Sequence, residues 1–564
     1  MLPELRDVGR KVWLRIHPAG PQGAALRQCD WRFLLPTPAG GMFEHIVLLG
    51  APEGLAEAIV RAGIAARVSE RIPEERCADA LIILHRSSAS VAESAGCLRP
   101  EGVVYWEIDR RRPRRWLASV GWGFKRMLSA GFSTTSAYWV QPGFSNPQVY
   151  VPLGNVAVLR WYLSNVHAAT TMKGRVLELL LRLLSSVGAR LRRALVPVFV
   201  LTATSSTRKQ MPSILGQSDL RSDFRRSALR PWASGPPADL ELLLLTGGRD
   251  DWNRVVAMPF TPGRLDPHAV LKLSRVAARN VHTEREQKVL GQIRAAVDAD
   301  LRRTLPEGFG TFSWSGLTVG MESFLPGRLL AATAARRGSS LRRKVADLDL
   351  AVGWLIAFHR QTEIRRTAWG QGELATWSSD ALDRYEAVFG LTPPEKNLFA
   401  RTRQRYRDLA GSRLPIVWYH YAFSAWNISR RKNDIGVFDW ESAERGPALF
   451  DLIYLVYRWN QEQGGASARG GQLEAFRDLF LTLPGARPAS RAAQQAIQRY
   501  TEALGIDRSC LPLALVSLWA RHAIARADRA GSLAPTGLDV RRGNAYVTSL
   551  GVLAEDADRL FQSW

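Results

Sequence analysis

The sequence predicts two domains, an α/β doubly wound half followed by an α+β half. Three observations predict this. The chain has 564 residues, more than one hydrophobic core usually supports. Before Thr202, short apolar runs alternate with helical stretches, the pattern of a parallel sheet covered by helices. Between Thr202 and Asp239 the sequence turns Ser-, Arg- and Pro-rich and ends in Ala233-Ser234-Gly235-Pro236-Pro237-Ala238, so the expected organisation is a domain over 1–203, a linker over 204–238 and a second domain over 239–564.

Composition narrows the function classes. Hydrophobic residues make up 46% of the chain, as in globular domains. The four cysteines, Cys29, Cys77, Cys97 and Cys510, have neither metal-ligand nor disulfide-framework spacing. The start, Met1-Leu2-Pro3-Glu4-Leu5-Arg6-Asp7, is charged where a signal peptide needs an apolar core, and no apolar run reaches the roughly 18 residues of a membrane span. A cytoplasmic protein is expected. The net charge of +24 would suit nucleic acid or an anionic surface, but the arginines are scattered over helical faces. The one dense run, Arg110-Arg111-Arg112-Pro113-Arg114-Arg115, lacks interleaved aromatic platforms. No nucleic-acid partner is therefore expected. The basic amphipathic stretch between Val176 and Leu195 could lie on an anionic membrane; packing against its own sheet is the plainer reading. Nothing in the sequence encodes an oligomeric state.

In the first half, Ile46-Val47-Leu48-Leu49, Ala80-Leu81-Ile82-Ile83-Leu84, Gly102-Val103-Val104-Tyr105-Trp106-Glu107 and the segment from Ser136 to Val140 read as strands, and Leu195 to Leu201 as a buried one. Gly50-Ala51-Pro52-Glu53-Gly54 follows the first and leads into a helix. This order, with Asp30 to Pro36, the Leu98-Arg99-Pro100-Glu101-Gly102 turn and Ala130-Gly131-Phe132, resembles a class I methyltransferase, a Rossmann-like fold that binds S-adenosylmethionine above its first strand-to-helix turn. The resemblance spans about residues 25 to 203. Its cofactor residues are mostly missing: Leu48 holds the acidic position and Pro52 the middle glycine of the turn, where it fixes φ and removes an amide. The acid expected after the next strand is represented only by the displaced Glu70. A scaffold that binds the cofactor poorly or not at all is the favoured expectation, with a divergent active methyltransferase as the alternative.

In the second half, Leu242-Leu243-Leu244-Leu245-Thr246-Gly247-Gly248 and Asn253 to Met258 read as a hairpin whose Gly247-Gly248 turn could cover nucleotide phosphates. Lys272 sits in the apolar strand Ala269-Val270-Leu271-Lys272-Leu273, and Glu286 follows in helical sequence. A lysine on the buried side of a strand needs a counter-charge, and a helix carboxylate can aim its ammonium at phosphates. Thr318 to Gly327, including Glu322, resembles the hinge between kinase lobes, where backbone groups would meet an adenine edge. Leu355-Ile356-Ala357-Phe358-His359 ends a helix, with His359 read as a packed histidine.

The specific stretch is Trp418-Tyr419-His420-Tyr421-Ala422-Phe423-Ser424-Ala425-Trp426-Asn427, followed by Ile435-Gly436-Val437-Phe438-Asp439-Trp440-Glu441 and Gly446 to Leu452. It resembles the aminoglycoside phosphotransferase and choline kinase family, whose pattern is HGDxxxxN and then an apolar strand ending in Asp-Trp/Phe-Glu. The resemblance covers about residues 240 to 564 and implies a bilobal protein-kinase-like fold. It also implies ATP and Mg²⁺ as cofactors, Lys272 held by Glu286 on the phosphates, Asn427 and Asp439 as metal ligands, and His420, Asn427 and Asp439 in the catalytic loop. Asn427 and Asp439 offer the hard oxygens that Mg²⁺ prefers. Where the family has Gly-Asp, this chain has Tyr421-Ala422. A positioned base contributes on the order of 10²- to 10⁴-fold, so its loss leaves three readings open. The first is phosphate transfer to a small-molecule or glycan-type hydroxyl, the base being Glu441, Asp434, a water or the substrate; the second is a nucleotide-binding pseudokinase with a regulatory or scaffolding role; the third is methyl transfer, with the kinase-like half recognising the acceptor.

Overall fold

The computed structural model describes residues 26–36, 38, 41–111, 119–132, 134–166, 196–204, 240–248, 251–261, 263–334, 340–364, 379–409, 414–463, 469–531, 541 and 543–564. The expected linker, most of the basic run and the amphipathic stretch from Val176 to Leu195 lie outside the described residues. Two compact units form.

One unit comprises Leu14–Gln287 and Gly308–Phe324. The sequence-predicted strands appear as β1 (Phe43–Leu49), β2 (Ala65–Ser69), β3 (Ala78–Ile83), β4 (Leu98–Asp109), β5 (Thr134–Gln141) and β7 (Val198–Thr204), and an unpredicted β6 (Val149–Pro152) joins them. Helices α1 (Leu55–Arg61), α2 (Val120–Ser129) and α3 (Val156–Asn165) interrupt them. β2, β1, β3 and β4 are parallel neighbours in that order. β7 then pairs antiparallel with β4 on one side and β5 on the other. Their near-continuous apolar sequences follow from burial of both faces: Ile46, Leu48, Ile82 and Tyr105 point into one core layer, Val47, Leu81, Ile83 and Val104 into the other.

The sheet does not end there. β6 pairs antiparallel with β8 (Glu241–Leu245), through Val149 opposite Leu245 and Tyr150 opposite Leu244. β9 (Val255–Phe260), β10 (Val270–Leu273), β12 (Leu317–Glu322) and β11 (Gly308–Trp314) continue it to a single mixed sheet of twelve strands. Strands from either side of 204–238 therefore share one hydrogen-bonded sheet, and β6 and β8 cover each other's edge where they meet.

The other unit includes Lys288–Glu307 and Leu325–Trp564. Helices α5 (Leu341–Thr362), α6 (Leu449–Gln463), α7 (Cys510–Gly531) and α8 (Ala545–Glu555) surround short strands β13 (Arg328–Leu329), β14 (Ile416–Tyr419), β15 (Ile428–Arg431), β16 (Asp434–Val437) and β17 (Glu444–Pro447). α4 (Asn280–Ala296) begins within the first unit's residues and carries Glu286. A core of Trp354, Phe358, Phe423, Trp440, Phe450 and Trp519 fixes the helices. Among the described residues no helix is long and apolar enough to cross a membrane.

Candidate nucleotide and metal site

Each unit contributes one constellation. In the first unit, antiparallel pairing of β10 with β12 sets Lys272 opposite Gly320 and Val270 opposite Glu322. The ammonium of Lys272 donates to Glu286 at 2.6 Å and lies 2.9 Å from Glu322. Arg254 also pairs with Glu286. All four side chains are nearly out of solvent. Burial pushes the Glu286 carboxyl up, but Arg254 and Lys272 outweigh it and hold the group down at about 2. Burial raises Glu322 to about 7, with Lys272 opposing and the charge on Glu286 adding to the rise. One lysine thus serves two acids, and Glu286 takes the larger share of the charge. The expected Lys272–Glu286 pair is present; the ion pair of Glu322 with Lys272 gives this residue a side-chain place that the hinge reading did not contain.

The Gly247-Gly248 turn follows β8. Gly248 has φ +82°, and a Cβ there would sit 2.1 Å from Cγ of Asn253, so only glycine fits. The turn is held by Arg275, just past the strand that carries Lys272. Its guanidinium donates to the carbonyls of Thr246 (3.2 Å), Gly247 (3.4 Å) and Asn253 (2.6 Å). Asp30, fully buried, accepts from the same guanidinium at 2.8 Å, and Arg32 donates to the Arg275 carbonyl at 2.6 Å. Thr246 is anchored as well, its amide and hydroxyl donating to the carbonyls of Gln148 and Pro147. These anchors come from residues assigned by sequence to the other domain.

In the second unit the loop after β14 carries the HGDxxxxN-like segment. His420 is fully buried and its Nε2 lies 2.8 Å from the Phe438 carbonyl. Asp451, on α6, accepts from the amides of His420 (2.6 Å) and Tyr421 (3.0 Å). His420 thus enters as a positioning residue that ties the loop to β16's exit. His359 packs behind, with Nδ1 2.5 Å from the Tyr500 hydroxyl and Nε2 3.6 Å from Asp451; it is structural, as its sequence context predicts. Asp451 carries no sequence signal for its role beyond its place in the family-like Gly446 to Leu452 segment.

Asn427 and Asp439 are brought together by the hairpin of β15 and β16. Ile428 pairs with Val437, and the Phe438 amide donates to the Asn427 carbonyl at 3.1 Å. The Asn427 side-chain nitrogen donates to the Ala422 carbonyl at 3.0 Å, which leaves Oδ1 as its acceptor end. Asp439 has φ +72°, a left-handed conformation unusual for a residue other than glycine. An amide oxygen beside a carboxylate fits Mg²⁺, which completes its shell with phosphate and water oxygens. Among the described residues no group of three or more His, Cys, Asp or Glu side chains could hold a metal without such help. Asp434 stands at the far end of β16, three strand steps, about 10 Å, from Val437, and caps its own turn through the Ile435 amide. Its place argues against a role beside Asp439.

Ala422 stands in this loop at the place where the sequence resemblance expects the base. Beside it, Tyr421 adopts φ +72° and packs its ring 4.4 Å from that of His522.

Residues 254–491 match the model of the phosphotransferase enzyme family. No curated protein matches the chain. Among solved structures, a glucosamine kinase is 18% identical, with 59% of this chain and 84% of that one covered and a TM-score of 0.36. A choline/ethanolamine kinase family protein from Mesorhizobium loti is 15% identical, covering 61% and 97%, with a TM-score of 0.32. An aminoglycoside phosphotransferase from Streptomyces rimosus, in complex with ADP and streptomycin, is 17% identical, covering 54% and 99%, with a TM-score of 0.30.

Proposed function

With a phosphotransferase-family, kinase-like domain in the C-terminal half, we propose that the protein binds ATP with Mg²⁺ and acts as a phosphotransferase-like protein on a small-molecule or glycan-type hydroxyl, with Ala422 at the position of the catalytic base. The observation that carries this is the buried Lys272–Glu286 ion pair. A fixed ammonium is what phosphate binding asks of the protein. ATP and Mg²⁺ supply the phosphoryl group and the divalent charge. The chain's own residues do the rest: Lys272 binds phosphate, the Gly247-Gly248 turn covers it, and Asn427 and Asp439 hold the cation, while Asp451 and His420 fix the loop on which Asn427 stands. Ala422 can take no proton, so any turnover is slowed by the roughly 10²- to 10⁴-fold that a positioned base contributes. A thermal-shift titration with Mg·ATP tests the reading, because a ligand that binds only the folded state must raise Tm. No shift at saturating nucleotide would remove it.

A regulatory pseudokinase uses the same nucleotide residues and differs only in lacking turnover. Favouring it, Tyr421 places a large ring in a left-handed position beside Ala422, which suggests that the loop has been rebuilt rather than merely deprived of its acid.

The strand order supports a methyltransferase-like scaffold for the N-terminal half: four parallel strands, then β7 reversed, then β5 in the original direction. Glu70 directly follows β2. The residues do not fit S-adenosylmethionine, however. The order reverses between β1 and β3, where a doubly wound sheet holds its ligand, and there the backbone of Ser87 comes within 2.5 Å of where a Gly50 Cβ would stand. With Pro52 in the turn as well, the half serves as a scaffold for the Gly247-Gly248 turn.

A further inference from the structure

Three helices crowd the loop beside Ala422. His522 on α7 is sandwiched between Tyr454 on α6, at 4.8 Å, and Tyr546 on α8, at 4.9 Å, with Tyr421 of the loop against it at 4.4 Å. A bulky residue held at φ +72° is strained and persists only where the surroundings demand it. The ring packing is one such demand.

Along α6, Tyr454, Arg458 and Glu462 follow at intervals of four and so lie on one face. The first of them reaches Tyr421 through His522, and the last lies beside Trp426. Arg458, between them, therefore faces the stretch of loop that contains Ala422. Its Nε is shut off from solvent without a hydrogen-bond partner among the described residues, and so is Nε2 of His522, a residue only 6% exposed. Unpaired polar nitrogens in a buried place are costly unless something else satisfies them. The local charge is positive. Burial, with Arg521, Arg529 and Arg458 close by, holds the His522 imidazole down at about 3. Glu462 is a partial counter-charge to Arg458: burial pushes its carboxyl up and Arg458 opposes the rise. Arg521 is already engaged with Glu444.

We propose that Arg458 and His522, flanking Tyr421 and Ala422, recognise an acceptor that carries an anionic group, a carboxylate or a phosphate, near its reacting hydroxyl. Arg458 Nη1 donates to Gln461 at 3.5 Å, which leaves Nε and Nη2 as the paired donors that match either oxyanion, and the imidazole supplies one more polar contact. The inference rests on the phosphotransferase reading for the hydroxyl but not for the anion. An arginine facing position 422 also accounts for a further feature of the loop: a carboxylate there would be drawn into an ion pair and lose its basicity.

Isothermal titration of the full chain with glucuronate, glucose 6-phosphate and glucosamine tests this. At least one of the two anions should bind and glucosamine should not; Arg458→Gln should weaken the anion by about tenfold or more while leaving Mg·ATP affinity unchanged. If Arg458→Gln does not fold, Arg458→Lys, which keeps the charge but loses the paired donors, should show a smaller loss in the same direction. The proposal is overturned if neither anion binds, if glucosamine binds as tightly, or if the Arg458 variants bind the anion like the parent. A parallel Mg·ATP titration separates the two claims: anion binding through Arg458 without nucleotide binding would leave the anion site standing and sink the phosphotransferase reading.

Discussion

The Asp30 carboxylate and the Arg275 guanidinium form an ion pair at 2.8 Å with both side chains completely buried. The pair joins the start of the described chain to the strand end next to Lys272, and the same guanidinium holds the Thr246 and Gly247 carbonyls of the glycine turn.

Removing one partner of a buried pair leaves an uncompensated charge, at a cost of about 3–5 kcal/mol. Asp30→Ala should therefore lower unfolding stability by that order in urea denaturation. Where the variant is still folded, it should also weaken Mg·ATP binding through the loosened turn. Stability within about 0.5 kcal/mol of the parent, the range of an ordinary surface change, would contradict this.

Glu322 predicts an unusual pH profile. Its folded carboxyl ionises near 7 against an ordinary 4.5, so the native state holds an extra proton between those values and stability falls as pH rises from about 4.5 to about 7. Glu286, held at about 2, acts in the opposite sense: its contribution is present above 4.5 and is lost as pH falls toward 2. Glu322→Gln should abolish the decline on the neutral side and be more stable than the parent at pH 7.5. Parallel stability profiles for the two proteins would refute the assignment.

Asp451→Asn should destabilise the second unit by about 1–3 kcal/mol, because an amide cannot accept from two backbone N–H groups as the carboxylate does without turning a donor toward one of them. Chemical denaturation measures this. An unchanged midpoint would mean that the His420 and Tyr421 amides do not depend on Asp451.

Restoring the family-like loop with Tyr421→Gly and Ala422→Asp should raise ATP hydrolysis or phosphotransfer by about 10²-fold or more, and by more when Arg458→Gln removes the neighbouring guanidinium. No gain in either background would show that the missing base is not what limits turnover.

Much of this was legible in sequence where a residue's partner is local or its pattern is repeated. β1, β3, β4, β5 and the β8–β9 hairpin follow from apolar runs and glycine turns. Lys272 and Glu286, only 14 positions apart, suggest a pair by strand and helix position, and the family resemblance is what points to it. Asn427 and Asp439 go together through the family-like pattern alone, and the hairpin between them emerges only in the structure. Asp30 and Arg275 lie 245 positions apart, and nothing in either neighbourhood advertises the other. The β6–β8 junction was equally hidden, since edge pairing uses backbone groups that every residue carries. Glu322 was read for its backbone, whereas burial beside Lys272 makes its carboxyl matter. Arg458 looked like one more arginine among many, and only the stacking of Tyr454, His522 and Tyr421 shows which face it occupies.

The most direct test of the account is calorimetric titration of the full chain with ATP in Mg²⁺, set beside Lys272→Ala and Asp439→Ala. The account predicts saturable binding by the parent, about tenfold or more weaker in the Lys272 variant, and a Mg²⁺ dependence that Asp439→Ala removes. Absence of binding by the parent, or affinity untouched by both substitutions, would contradict it.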